Sequence, residues 1–527
     1  MTIKQSDLHL VNGSLNGSLN GSVHTNGGGE LRARRKNNDG LLKPTLAGTR
    51  LDSDSSTLSS GVTTPLPEDA PPSAHSIKEA RRERRRRLFP TVTYESRVSH
   101  FDPQSQHHDF RGFFALFWIG LFIMVMTTAL RNLKDTGAVF RTSIFSLFAQ
   151  GTLELGLTDL GMALSTGFVV PMQKRFSMSV KAGGWSWVDG GWAIQHVLQA
   201  LWLGVWVYLP FLRGWGWTHQ VFLTLHALVL LMKIHSYSFY CGHLSDCRRQ
   251  LRALDSNNTT TESAEDADRR ETLAFELTSP DGKVNYPRNL TWSNFADYML
   301  CPTLCYELSY PRLEPQKIRW DKLAEKAAAV FGCIFLLTVI SEEFILPVMT
   351  EAALRLEISL TLFEGVLIML ESISLLLFPF MVTFLLVFLV IFEYVLGAFA
   401  ELTSFADRHF YSDWWNSTDW LEFSREWNIP VHRFLQRHVY TASRSRLSRP
   451  LATAVTFLIS AAAHELVLFC ITKKLRGYGF VCQMLQLPII AVQRTEFLKK
   501  RRVFNNIMFW CSMIYGLAMI SALYVLV

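Results

Sequence analysis

The chain has 527 residues, 49% hydrophobic and 13% aromatic, and its 52 Lys and Arg against 45 Asp and Glu leave a net charge of +7. A mean hydropathy of +0.15, reached in spite of a polar N-terminal stretch, excludes an ordinary soluble globular protein. Repeated apolar runs of about 20 residues, each long enough to cross a bilayer, point to an all-α polytopic membrane protein.

Residues 1–99 are rich in Gly, Ser, Asn, Thr and Pro, contain the repeat NGSLNGSLNGS (12–22) and lack the apolar core of a secretory signal. That composition cannot bury enough apolar surface to fold, so a disordered tail is predicted, with a short basic helix near 76–88. Nine spans are then predicted, at 112–130, 142–171, 192–212, 217–239, 325–349, 358–403, 451–472, 477–494 and 504–526. RRERRRR (81–87) ahead of the first keeps the N-terminus in the cytosol under the positive-inside rule.

The apolar stretch 358–404 is long enough for two crossings. One crossing keeps Arg408, Arg425, Arg433, Arg437, Arg444, Arg446, Arg449 and the basic cluster 494–502 cytosolic, whereas two would make them luminal. A single long, tilted or broken helix is therefore expected, although Lys473, Lys474 and Arg476 run against this orientation. The domain that follows the tail covers 100–527, and its mixed-charge segment 246–291 reads as a solvated cytosolic insert. Of eight cysteines, Cys301 and Cys305 are the closest metal-like pair, but no second pair or histidine follows at zinc spacing. Sequons at Asn257, Asn258 and Asn289 would matter only on a luminal loop.

Ionisable residues inside spans are costly in hydrocarbon and mark functional candidates. His464, in LISAAAHELVLF, follows the small residues Ser460 to Ala463 and lies deep in its span, with Ser460 one turn away on the same face. In REWNIPVHRFLQRHVY (425–440), Pro430 suits the first turn of a helix, which puts Asn428 at its mouth and His432 within it. An amide can donate to a developing oxyanion, and a histidine can accept a hydroxyl proton. Glu154, Asp159, His196, His226, Glu342 and Glu343 read as structural. No G-x-S-x-G elbow, P-loop, H-E-x-x-H or H-x-x-x-x-D pattern occurs.

FYSDWWNSTDW (410–420) packs three tryptophans among Asp413, Asn416 and Asp419 between two apolar stretches. A plain interfacial aromatic belt has no need of those polar groups, so a rigid gate between water and membrane is expected. FYSDWWN resembles the FYxDWWN signature of the membrane-bound O-acyltransferase superfamily, in its sterol and diacylglycerol branch, and SAAAHEL carries the histidine expected downstream. HSYSFY (235–240), PTLCYELSYPR (302–312) and WNIPVHRFLQRHVY (427–440) look like the sterol O-acyltransferases, particularly the fungal ones. The resemblance runs from about residue 110 to the end.

It implies about nine transmembrane helices enclosing an intramembrane reaction chamber in the endoplasmic reticulum. There a fatty acyl group would pass from acyl-CoA to the 3β-hydroxyl of a sterol, giving steryl esters for storage. Acyl-CoA is the co-substrate, with no metal or redox cofactor and no nucleic acid, and the enzyme would be a homodimer or higher homo-oligomer. By residue, His464 would be the base, Asn428 its polar partner and His432 nearby. Tyr411, Asp413, Trp414, Trp415 and Asn416 would belong to the acyl-CoA site, and Tyr440, Arg449 and Ser460 to the coenzyme A tunnel. Arg449 departs from the lysine found in some members. Diacylglycerol is the alternative acceptor. A transporter fits less well, because the two halves show no repeat symmetry.

Overall fold

The protein is described from a computed structural model that covers residues 87–102, 105, 111–141, 143–178, 186–256 and 264–527. The predicted basic helix up to residue 86, the glycine-asparagine repeat and the sequons at Asn257 and Asn258 lie outside those residues. In chain order the larger helices are α1 (Arg111–Thr136), α2 (Thr152–Met178), α3 (Trp187–Leu212) and α4 (Trp217–Ser256). Then come α5 (Ala264–Glu276), α6 (Trp292–Leu300), α7 (Trp320–Ile358) and α8 (Leu362–Leu402). The last third holds α9 (Trp420–Glu426), α10 (Ile429–Phe434), α11 (Arg449–Thr472), α12 (Tyr478–Gln493) and α13 (Arg502–Leu526).

Eight of these, α1 to α4, α7, α8, α11 and α13, are long and apolar enough to cross a membrane. The ninth expected crossing is α12, an apolar helix of 16 residues. At 1.5 Å per residue it is about 24 Å long, less than the ~30 Å hydrocarbon core. Within the stretch 358–404, Leu362–Leu402 forms one helical run, as a single crossing requires. Thr361 accepts a hydrogen bond from the Glu364 amide (3.2 Å) at its start. The run then passes through a π turn at Leu389–Val395 without breaking. The span expected over 142–171 begins later, because Gly151 takes a left-handed φ of 68° and separates a short helix, Ser143–Ala149, from α2.

The charged residues expected to be structural all find partners. Glu342, in a second π turn at Ser341–Ile345, accepts from the Ile144 amide at 2.7 Å, and Glu343 from Asn132 Nδ2 at 2.8 Å. Asp159 meets His226 at 2.5 Å, Glu154 pairs with Arg213, and His196 packs on His235.

Two expectations need correction. The segment 246–291 is not simply a solvated loop: α4 runs to Ser256, and the return through α5 buries Leu273, Glu276, Leu277 and Tyr286. Asn289 is itself buried, donating to the Tyr306 hydroxyl at 3.1 Å, so no glycan fits there. Nor does the tail extend to residue 99. Arg87 donates to the carbonyls of Phe275, Glu276 and Thr278, the amides of Leu88 and Phe89 to the Glu276 carboxylate, and Val92 N to Glu307 at 2.9 Å. Residues 87–99 are a strap across the folded domain. Composition missed both because their polar side chains are satisfied by distant backbone and carboxylates rather than by water.

Glu307 is where these pieces meet. Its carboxylate takes Val92 N and the guanidinium of Arg437 (2.8 Å), whose side chain is 2% exposed. Arg437 also donates to the Tyr306 carbonyl and lies over the rings of Phe89 and Tyr240. Removing one partner of a buried pair strands the other charge, at a cost of about 3–5 kcal/mol. Arg437→Ala should therefore lower the thermal midpoint of the detergent-solubilised protein sharply, and Arg437→Ala/Glu307→Ala should lose less than the sum of the single variants.

Candidate active site

The aromatic block and the Asn428 helix are one unit. Ile429 N donates to the Phe410 carbonyl (3.0 Å) and Ser412 N to the Glu426 carbonyl (2.9 Å), closing residues 410–429 into a ring. Two carboxyl and amide caps make its helices. Asp419 accepts from Glu422 N (2.7 Å) while Glu422 reaches back to Thr418 N (2.7 Å), starting α9. Asn428 Oδ1 accepts from Val431 N (3.1 Å), starting α10 with Pro430 in its first turn, as the sequence predicts. Because the oxygen of the amide is taken by that cap, its NH₂ is the group left to donate outward.

Within the signature the residues divide by depth. Tyr411 and Trp414 are buried. Trp414 packs among Phe384, Phe388, Trp427 and Trp510, with centroids 4.9–5.6 Å away. The Trp415 carbonyl accepts from Asn506 Nδ2 (2.9 Å) and Trp510 Nε1 (3.0 Å) on α13. Asp413 and Asn416 are exposed and bonded to each other at 3.3 Å, with Ser412 Oγ on the second Asp413 oxygen. Thus the rings are a rigid backing, and the polar pair is what the loop shows to solvent.

His464 stands on α11, 15 residues after Arg449, the first residue of that helix. That is about 22 Å along the axis. Its Nδ1 is 2.7 Å from the Ser460 carbonyl. A carbonyl can only accept, so Nδ1 carries a proton, and in the neutral ring Nε2 holds the lone pair. The neighbouring Glu465 is buried and fixes the helix: it accepts from Gly477 N (2.7 Å), Phe480 N (3.0 Å) and the Tyr524 hydroxyl (2.6 Å). A side chain at Gly479 would meet Leu468 at 2.2 Å, so α12 comes as close as it does only because glycine is there.

The predicted residues are therefore in two groups. Tyr411, Asp413, Trp414, Trp415, Asn416 and Asn428 share the 410–429 ring, and His432 follows one turn after Asn428, its amide on the Asn428 carbonyl at 2.9 Å. His464 and Ser460 lie on α11, with Arg449 exposed at its start. No hydrogen bond joins His464 to Asn428 or His432. What connects the groups is the π turn Leu435–Tyr440, which continues α10, ends at Tyr440 and packs against α11.

Sequence reasoning missed Glu393. It sits in the α8 π turn and accepts from the Tyr411 hydroxyl (3.2 Å), Ser99 Oγ (2.5 Å) and Lys326 Nζ (3.3 Å). An acidic residue inside an otherwise apolar run was the available signal.

The loop's electrostatics follow from burial. Burial together with Arg425 and Arg433 pushes His432 down to about 4, so it is neutral at neutral pH. Burial alone would raise the Asp413 carboxyl, but hydrogen bonds from Asn416 and Ser412 outweigh it and hold the group below its usual range. Burial, with Asp413, Glu422 and Asp419 nearby, pushes Glu426 up to about 7.

The fold is that of a membrane acyltransferase, and the chain belongs to the membrane-bound O-acyltransferase family, whose model matches residues 190–526. Among named relatives it is similar to the probable sterol O-acyltransferase 2 of Schizosaccharomyces pombe. The two are 42% identical over 424 residues, which is 79% of this chain and 87% of that protein. The sterol O-acyltransferase 2 of Saccharomyces uvarum is 36% identical over 79% of this chain and 66% of its own length. The diacylglycerol O-acyltransferase 1 of Dictyostelium discoideum is 35% identical over 246 residues, 46% of this chain and 38% of that protein.

Glu426 generates a pH prediction. A carboxyl whose pKa is raised to about 7 in the fold holds its proton there after the unfolded chain, with a value near 4.5, has lost it. Its contribution to stability is thus fully present below about 4.5, falls as pH rises to about 7 and is flat above. In thermal unfolding scans across that range, the midpoint of Glu426→Gln should rise relative to wild type as pH increases from 5 to 7, and stay parallel beyond.

Proposed function

We propose that this chain transfers a long-chain fatty acyl group from acyl-CoA to the 3β-hydroxyl of a sterol, as a multi-pass enzyme of the endoplasmic reticulum membrane with a cytosolic N-terminus. The observation that carries the sterol assignment is coverage: relatives named sterol O-acyltransferase align with about four-fifths of the chain, and the diacylglycerol relative with less than half. The distribution of Lys and Arg supports the orientation. The enzyme works as a homodimer or higher homo-oligomer, as the family resemblance implies, and needs no metal or redox cofactor.

His464 acts as the base. Its Nε2 takes the sterol hydroxyl proton as the oxygen attacks the thioester carbon. The tetrahedral intermediate then collapses with cleavage of the C–S bond, and the proton passes to the departing thiolate to give free CoA. The Asn428 NH₂, left free by the helix cap, donates to the oxyanion. Neutral His432 sits one turn further on, polarising the same wall without adding charge. The exposed Asp413–Asn416 pair and Trp415 form the donor-side mouth, with Tyr411 and Trp414 as its backing, and Tyr440, Arg449 and Ser460 line the path of the coenzyme. Arg449 supplies a charge for phosphate at the start of α11, in fork geometry where lysine offers a point charge.

General-base catalysis is worth about 10²–10⁴ in rate, and one oxyanion donor about 10²–10³. His464→Ala should therefore abolish ester synthesis in microsomes while membrane insertion persists, and activity above roughly a tenth of wild type would remove it as the base. Asn428→Ala should lose less, and Asn428→Asp should not recover activity, because a carboxylate repels the forming oxyanion.

The acceptor is tested by competition. With labelled oleoyl-CoA and equal loadings of ergosterol and diacylglycerol in micelles of the purified protein, steryl ester should dominate the product. Dominant triacylglycerol would overturn the sterol assignment and leave the acyl transfer standing.

A further inference from the structure

Residues 92–99 belong by composition to the tail, but the structure sets Arg97, Ser99 and the following His100 against residues 406–415. Arg97 forms a bridge with Asp407, its amide on the Ala406 carbonyl (3.0 Å) and its carbonyl taking the Arg408 amide (2.8 Å). Its guanidinium holds both oxygens of Asp407, at 3.0 and 2.7 Å, and that carboxylate is 1% exposed. Ser99 Oγ touches both the Tyr411 hydroxyl, at 3.1 Å, and its partner Glu393, at 2.5 Å. His100 is buried against the rings of His409, Tyr411 and Trp415.

Asp407 also serves the other side of the site. Arg433, the residue after His432, reaches it at 3.5 Å and lies over the Tyr94 ring of the strap. The strap, the loop and the Asn428 helix thus share one buried carboxylate, of which Arg97 is the close, two-pronged partner.

From this juxtaposition we propose that the segment ahead of the first span is a positioning element of the acyl-CoA site, with Arg97 and Ser99 as its working residues. The proposal rests on the acyl-CoA reading above. Loss of Arg97 leaves Asp407 to Arg433, which pulls the His432 turn toward it and loosens the 406–416 backbone. Loss of the Ser99 hydroxyl frees Tyr411 and Glu393 from their third partner. Both changes act on the donor side, since the hydrogen bonds of both side chains go to Asp407, Glu393 and Tyr411.

The test uses full-length wild type, Arg97→Ala, Arg97→Lys, Ser99→Ala and Arg97→Ala/Asp407→Asn in detergent. The readouts are binding of a non-transferable thioether analogue of oleoyl-CoA, the KM for each substrate, and the thermal midpoint. The expected result is that Arg97→Ala and Ser99→Ala weaken analogue binding and raise the acyl-CoA KM, Arg97→Ala on the order of tenfold, with the sterol KM unchanged. Arg97→Lys should keep part of the affinity, because charge survives without the fork. The Asp407→Asn combination should restore the midpoint but not the affinity, which separates positioning from folding. Analogue binding and acyl-CoA KM within twofold of wild type in both Arg97→Lys and Ser99→Ala would overturn the proposal, even if Arg97→Ala does not fold. Failure of wild type itself to bind the analogue would instead remove the acyl-CoA reading, and this proposal with it.

Discussion

Arg437 and Glu307 meet at the point where four parts of the chain must be brought together: the strap, the middle of α4, the loop after α6 and the turn that follows α10. A charge in such a place is tolerated only when its partner is held in good geometry, and so the pair demands the fold as much as it supports it. Breaking contact at any of the four leaves a guanidinium or a carboxylate without water or partner. That requirement ties α4, the strap and the loop after α6 to the helical run bearing Asn428. Much of what lies around the candidate site is a continuation of the same arrangement, in which buried carboxylates collect donors from remote segments.

Asp407, Glu393, Glu276 and Glu465 repeat the pattern. Each is largely buried, and each gathers two or more donors. Glu276 and Asp407 hold the strap, Glu393 holds Tyr411, and Glu465 holds α11. The hydrophobic effect packs the rings of the aromatic block but has no direction, and it would allow the loop to settle in several arrangements. Directional bonds to single carboxylates remove that choice. The result is a loop whose aromatic side is packed and hydrogen-bonded and whose polar side faces outward.

Much of this was legible in the sequence because it is periodic or local. Apolar runs mark the spans, and Asn428 followed by Pro430 marks a helix start. The single run 362–402 followed from the distribution of arginines. The strap was not legible, because Arg97 and Asp407 are 310 positions apart and nothing in TYESRVSH distinguishes a bound segment from a free one. The order in 264–291 was hidden for the same reason. Glu393 could have been found, since a carboxylate in an apolar helix needs a partner, but its partners come from three separate segments. The break at Gly151 depends on a backbone angle that glycine permits without announcing.

A helix in lipid can turn about its own axis at little cost, because the hydrocarbon offers much the same surroundings to every face. Glu465 takes that freedom from α11. Its bonds to the first turns of α12 and to a tyrosine on α13 are compatible with one azimuth only, and the adjacent histidine inherits it. On the proposed role of His464 as the base, this fixes the helix face that carries its imidazole before any substrate arrives. The entropy of aiming it is lost once, during folding, and not again at each turnover.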